Sequence, residues 1–194
     1  MAQEIKKKKN VQKQFFEVKT PMTATSVSLY AASAEELEGK MIKIDLSKSL
    51  RGKNMELKMK IKLENGELIA EPVSASILNV YLRKAVRKGT DYVEDSFSVK
   101  CKDNELIVKP LLVARNKVSR AIRRELRNAA KDLIVSFATT KTTKEIFTDI
   151  MTNKLQKEIA IKLKKIYPLS LSEIRMLEIV KKKESFEQKS ALTN

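Results

Sequence analysis

From Met55 to Glu64 the chain alternates without a break. Met55, Leu57, Met59, Ile61 and Leu63 fall on one parity, and Glu56, Lys58, Lys60, Lys62 and Glu64 on the other. Successive side chains leave a strand on opposite faces, so the pattern predicts a half-buried strand with its polar side in water. Asn65-Gly66 follows, a pair that tolerates positive φ at both positions of a tight type I′ turn, and Glu67–Val73 is the expected return strand. The same period of two sets Ile42, Ile44 and Leu46 against Lys43, Asp45 and Ser47, before a turn over Leu50–Asn54 that carries Arg51 and Lys53. A second hairpin is expected from Ser96 to Lys102, through a turn at Asp103-Asn104, and back along Glu105–Val113. Proline has no N–H to give a ladder, so Pro110 predicts an edge strand or a bulge there. Gln14–Pro21 is short, aromatic and stopped by proline, which predicts another strand. Thr23–Glu38 is ambiguous, and Ala31–Glu38 has the composition of a short helix before Gly39.

Elsewhere the period changes to that of a helix. Within Ala114–Thr140, Val118, Ile122, Leu126, Ala129, Leu133 and Phe137 share one stripe at roughly 100° per residue. Ser76–Lys88 reads as a helix ended by Gly89, with Leu78, Tyr81, Leu82, Ala85 and Val86 as its buried side. Thr142-x-x-Glu145 is a capping-box pattern that opens a further helix, whose apolar side is Ile146, Phe147, Ile150 and Met151. Leu155–Ile166 continues helically until Tyr167-Pro168, and Leu169–Val180 is expected as a short strand. Two hairpins and several helices, without strand–helix–strand alternation, predict an α+β fold. The expected architecture is a curved antiparallel sheet or partly closed β-barrel, with helices packed alongside and a helical C-terminal part. Residues 14–180 are expected to form one α+β domain, between a disordered basic arm at 1–13 and a disordered polar tail at 181–194.

Charge sharpens the picture. The 194 residues carry 40 basic against 24 acidic side chains, a net charge of +16, with a pI near 9.8. Self-repulsion of that size opposes compaction unless a polyanion or anionic surface takes up the excess, and nucleic acid is the leading candidate. A membrane surface is the weaker one, because the basic helix lacks the bulky aromatics of an interfacial apolar face. Five of the nine arginines lie between Arg115 and Arg127. On the helix, Arg120, Arg123, Arg124, Arg127 and Lys131 share the face opposite the apolar stripe, with Glu125 as the one acid among them. Arginine's planar fork pairs bidentately with phosphate and is weakly hydrated, so this is read as a phosphate-contacting helix and not as a merely solvated face. Further cations gather at Lys6, Lys7, Lys8 and Lys9; at Arg51 and Lys53; at Arg83, Lys84, Arg87 and Lys88; at Arg115 and Lys117; and at Lys162, Lys164 and Lys165. Part of the Arg83–Lys88 group also complements a helix dipole and needs no ligand.

The chain has no histidine and one cysteine, Cys101, which excludes Ser-His-Asp and Cys-His catalysis, histidine-based zinc sites and any internal disulfide. Its four glycines are isolated, so no Gly-rich phosphate loop exists. Asp91, Glu94 and Asp95 are the one group with carboxylates enough for Mg²⁺, and a loop with spare acids is the better reading. An RNA-processing enzyme using them with Mg²⁺ is a competing class; no enzyme and no cofactor is the expectation. Aromatics make up 5% of the chain and Trp is absent, too few for a platform that stacks a single strand along its length. A binder of backbone and shape remains, spread over several RNA helices. A free-standing nucleic-acid-binding or chromatin-like protein is the alternative.

Lys162–Leu169, containing Ile166-Tyr167-Pro168-Leu169, followed by Glu173-Ile174-Arg175, closely resembles a near-terminal motif of a ribosomal protein family. This is the archaeal and eukaryotic small-subunit family written S-three-a-e, or e-type S-one. Phe16–Pro21, Leu37–Leu46, Tyr81–Asp95 (a helix, an Arg87-Lys88-Gly89-Thr90 turn and a following strand) and Val118–Arg124 resemble other blocks of it in the same order. The similarity spans about residues 14 to 180. The resemblance implies a structural component of the cytoplasmic ribosome's small subunit, on the platform near the mRNA exit. Its implied partners are small-subunit rRNA and neighbouring platform proteins, and direct contact with mRNA stays open. Arg175 joins the expected rRNA-binding set, and neither catalysis, cofactor nor membrane is implied.

Overall fold

The structure is a computed structural model that describes residues 12–23, 26–50, 53–64 and 66–180. The expected arm lysines Lys6 to Lys9, the polar tail, Arg51 and Asn65 lie outside the described residues. The chain gathers into two compact units.

The first unit draws on the described residues of Met1–Ile44 together with Lys58–Val73. Its strands are β1 (Gln14–Lys19), β2 (Val27–Ala31), β3 (Met41–Asp45), β4 (Met55–Glu64) and β5 (Glu67–Ile77), the last three lending their other ends to the second unit. They are hydrogen-bonded in the order β2-β1-β5-β4-β3. β1 runs antiparallel to β2 and parallel to β5, through Val18↔Leu68 and Lys19↔Ile69, so the strands are mixed and not purely antiparallel. The alternation of β4 is obeyed: Met59 and Ile61 are fully buried while Lys60, Lys62 and Glu64 face water. Gly66 stands at φ +83°, the left-handed conformation that the turn requires. Ala31–Glu38 does not form the expected helix. Ala31 pairs with Gln14 across β2–β1, and one 3-10 turn, Glu35–Leu37, is all that follows. Sheet pairing of Val27–Ala31 outweighs the weak helical propensity of the stretch behind it.

The second unit draws on Asp45–Leu57 and the described residues of Ser74–Asn194. It adds α1 (Asn79–Ala85), β6 (Tyr92–Glu94), β7 (Phe97–Lys100), β8 (Glu105–Ala114), α2 (Arg120–Thr139), α3 (Thr143–Met151), α4 (Lys154–Leu163) and β9 (Leu169–Ile179). β9 takes up almost the whole of the expected Leu169–Val180 segment as an eleven-residue strand, bound on one side by β8 and on the other by Ser74–Ser76 of β5. Ser76 and Ile77 therefore extend β5, and α1 is shorter than expected, ending where Val86 turns extended at ψ 110°. The far edge of β8 is shared by β7, opposite Glu105–Val108, and β6, opposite Leu111–Val113. Pro110 does mark a bulge, a register shift between Lys109 and Pro110 against β9, yet β8 is an inner strand and not an edge. Pairing with β8 makes Tyr92–Glu94 the strand that the resemblance over Tyr81–Asp95 implies, although the acids around it read as a loop by themselves. α2 packs against β6 and β7, α4 against β9, and α4 touches both α2 and α3. The core of this unit includes Leu111, Leu112 and Val113 of β8, Leu126 and Ile134 of α2, Phe147 and Ile150 of α3, and Ile159 and Leu163 of α4.

Candidate nucleic-acid interface

The arginine helix forms as the sequence predicts, but its buried side is turned. Leu126, Ala130, Ile134 and Ala138 are the buried row, with Ile122, Arg123, Ala129, Leu133 and Phe137 half-buried beside it. Steps of four residues drift about 40° per step on a helix, so the row winds to follow the strands beneath. Val118 precedes the helix, whose first turn is capped by Ser119 accepting the Ile122 N–H at 3.4 Å. Arg120, Arg124, Arg127 and Lys131 are exposed and fall within about 60° of one another around the axis. Glu125 and Asp132 lie more than about 100° round from the centre of that row. Among the described residues none of these four cations forms an ion pair, and the Lys131 ammonium rests 5.8 Å from the centre of the Phe97 ring on β7. The result is a row of three guanidinium groups and one ammonium at one-turn intervals, the ammonium lying over a ring of the strand below. Arg123 sits at the border of the packed side and contributes less of its fork to water.

The loop that feeds α2 is held by Asp91. Its backbone carbonyl accepts the Ala114 N–H at 2.8 Å and its Oδ2 accepts the Val118 N–H at 2.9 Å, which places exposed Arg115 and Lys117 in front of the helix. Asp95 accepts the Ser96 N–H, and Glu94 takes the Arg175 guanidinium at 3.1 Å. Each member of the acidic group is thus engaged in positioning the chain. Among the described residues no set of three or more acids and cysteines comes together as metal ligands. Arg175 is half-buried and spends part of its donor capacity on Glu94, so it departs from the expectation of a free phosphate contact. It lines an open hollow of about 410 Å³ together with Arg127 and Lys109, a cation the sequence reading did not single out.

Arg83, Lys84, Arg87 and Lys88 are all exposed, the last two beyond the end of α1. Lys84 and Arg87 rim an open pocket of about 520 Å³ whose wall includes Asn54, Tyr81 and Ser170. Burial, and then the charge of Glu173, push the Tyr81 hydroxyl above the ordinary tyrosine range, so it stays protonated there. On α4 and just past it, Lys162, Lys164 and Lys165 are exposed as expected, with Lys157 beside them. Lys53 is the clear correction. It is 4% exposed, with its ammonium 2.7 Å from Glu173 Oε2 and donating to Asn153 Oδ1 at 2.9 Å. Inside the second unit it ties the turn before β4 to the α3–α4 junction and to β9, and it cannot reach a phosphate. Nothing in a Leu-Arg-Gly-Lys-Asn turn distinguishes an inward lysine from an outward one, because the partners lie about a hundred residues away. The lone thiol, Cys101, is pushed up first by burial and then by Asp103, which makes it a poor nucleophile at neutral pH.

The class this defines is a basic α+β protein that presents cations on the exposed faces of helices and loops. Residues 2–183 match the profile of the Ribosomal S3Ae family. The chain belongs to that family, whose members are small-subunit ribosomal proteins of the archaeal and eukaryotic type. Relatives named small ribosomal subunit protein eS1 include one from Nanoarchaeum equitans, 27% identical over 164 residues, covering 79% of this chain and 82% of that protein. Another, from Methanothermobacter thermautotrophicus, is 29% identical over 129 residues, covering 63% and 66%. A third, from Methanobrevibacter smithii, is 30% identical over 104 residues, covering 53% and 51%. Membership carries a place in the cytoplasmic ribosome. No helix among the described residues is long and apolar enough to cross a membrane.

Proposed function

We propose that this chain is a structural constituent of the small ribosomal subunit that binds its rRNA through backbone phosphates and helix shape, on the platform near the mRNA exit, against neighbouring platform proteins. The observation that carries the reading is the exposed, unpaired row Arg120, Arg124, Arg127 and Lys131 in a chain with a net charge of +16. Family membership supplies the ribosome, and the row supplies the means of holding it. Phosphate contacts set register and orientation without reading sequence, and a rigid helix backed by a packed sheet suits that task. The cations at Arg83 to Lys88, Arg115, Lys117 and Lys162 to Lys165 extend the same surface chemistry to further RNA segments.

The test is the triple variant Arg120→Gln/Arg124→Gln/Arg127→Gln. All three side chains face water, so cooperative melting is retained while affinity for small-subunit rRNA falls. The slope of log affinity against log salt becomes shallower by about 0.9 for each arginine that meets a duplex phosphate. Loss of cooperative melting instead assigns the arginines to the fold. Sedimentation with small subunits through high-salt gradients separates this reading from a free-standing nucleic-acid binder, which stays at the top or travels with DNA. Crosslinking in intact subunits, mapped to nucleotides, tests the platform and any contact with mRNA.

A further inference from the structure

In the first unit, Phe15 of β1 and Tyr30 of β2 are partners across the antiparallel pair. Their ring centroids are 5.0 Å apart with the planes tilted by 47°. Both rings point away from the core, since Val18 and Ala31 of the same strands fill the inner side and are buried. Phe15 is 75% exposed and Tyr30 58%, so each ring leans on the other and leaves its remaining surface in water. The Lys13 ammonium stands 5.8 Å from the centre of the Tyr30 ring. Carboxylates nearby are in part already occupied. Glu36, which feels Lys13, holds Lys40 at 3.1 Å, and Glu17 shares the outer face of β1 with Phe15.

Aromatic rings gain most when water is removed from them, and a chain with ten aromatics in all has placed two of them together outside its core. Two exposed rings packed together offer apolar area that a partner can cover. Flat rings beside a cation match a nucleobase followed by its phosphate, because every base has a π-face and every nucleotide a negative charge. We propose that Phe15, Tyr30 and Lys13 form a stacking site for an unpaired nucleobase of single-stranded RNA. Two rings seat one or two bases, as in a bulge, a loop or a strand end, and not a long single strand. The site rests on the reading of this protein as an RNA binder, but it uses residues outside the phosphate-contacting set and adds base stacking to backbone contact.

The test uses the full chain and a short single-stranded oligoribonucleotide carrying one 2-aminopurine, whose fluorescence is quenched on stacking. The protein has no Trp to interfere. Wild type and Tyr30→Phe quench the probe. Phe15→Leu and Tyr30→Leu, which keep apolar bulk on exposed positions but lose the ring, weaken oligonucleotide binding by about five- to a hundred-fold. Their affinity and salt slope for duplex small-subunit rRNA stay as in wild type. Unchanged oligonucleotide affinity in both leucine variants overturns the stacking site. So does absence of quenching by wild type while duplex rRNA is still bound, a result that leaves the phosphate reading intact; loss of duplex binding as well overturns both. If the leucine variants instead keep oligonucleotide affinity and lose a neighbouring protein from reconstituted subunits, the patch is a protein contact and the proposal is wrong.

Discussion

At Lys53 the second unit encloses a charge. Glu173 Oε2 at 2.7 Å and Asn153 Oδ1 at 2.9 Å replace water around the ammonium, and Gln156 joins by donating to the Ile150 carbonyl at 3.0 Å and to Glu173 Oε2 at 3.5 Å. Removing one member of a buried ion pair leaves the other without a counter-charge, a larger penalty than the pair's net worth. Lys53→Met is therefore expected to destabilise the protein by about 3–5 kcal/mol, and the double variant Lys53→Met/Glu173→Leu to recover most of that loss. A denaturant double-mutant cycle reads the coupling. Equal losses in the single and double variants would show that the packing, not the charge, matters at this place. The exposed carboxylate of Glu145 adds sensitivity to acid. Glu145 accepts the Thr142 N–H at 3.0 Å, and this backbone hydrogen bond, ahead of the nearby lysines, holds its carboxyl below the usual 4.5. A folded-state pKa below the unfolded one favours the ionised form in the folded chain, so the stabilisation is present above about pH 4.5 and is lost as pH falls through the lowered value. Melting temperature should drop between about pH 5 and pH 3. Glu145→Gln should melt lower than wild type at neutral pH, and the two curves should converge in acid.

Between α3 and α4 the chain turns on Asn153, at φ +60° the one described non-glycine residue in the left-handed region. Nothing local announces this break, because Thr152-Asn153-Lys154 contains neither Gly nor Pro and the helical pattern runs on into Leu155–Ile166. Asparagine visits the left-handed conformation more readily than most residues, and here its side chain is also recruited by Lys53. Asn153→Ala is expected to cost about 1–2 kcal/mol of backbone strain in addition to the lost hydrogen bond. Asn153→Gly loses only the latter, so the glycine variant should be the more stable of the two in chemical denaturation. The elements read correctly from sequence share one property, local evidence. β4 declared itself by ten residues of alternation, α3 by its capping box, and the α2 arginines by their spacing. What was missed depends on distant partners. Ser76 and Ile77 look helical until β9 pairs with β5, and the acids around Tyr92–Glu94 read as a loop on composition alone, so that only the family resemblance announces the strand that β8 completes. Phe15 and Tyr30 are fifteen residues apart, and only the β1–β2 register brings them together. The outward cations of α2 and α4 were legible because helical geometry alone assigns their side, whereas the inward course of Lys53 was not.

On the scale of the whole molecule, a surplus of sixteen positive charges acts in opposite directions on folding and on binding. In the free chain the cations repel one another, and added salt screens them over a Debye length of about 30 Å at 0.01 M but about 8 Å at 0.15 M. Raising NaCl across that range should therefore raise the melting temperature of the protein alone. The same salt competes for RNA, since each phosphate neutralised by a lysine or arginine releases a condensed counterion and that release is worth less when salt is abundant. If Arg120, Arg124, Arg127 and Lys131 each neutralise one phosphate of a duplex, log affinity should fall against log salt with a slope close to −3.6, and contacts from Arg83 to Lys88 or Lys162 to Lys165 would steepen it. Differential scanning calorimetry of the free protein and filter binding to small-subunit rRNA, at matched salt concentrations, give the two trends. A binding slope shallower than about −3 would mean that the helix row does not face phosphate. A melting temperature indifferent to salt would mean that the charges are spaced widely enough not to strain the fold, and the case for RNA as the partner that relieves the repulsion would fail with it.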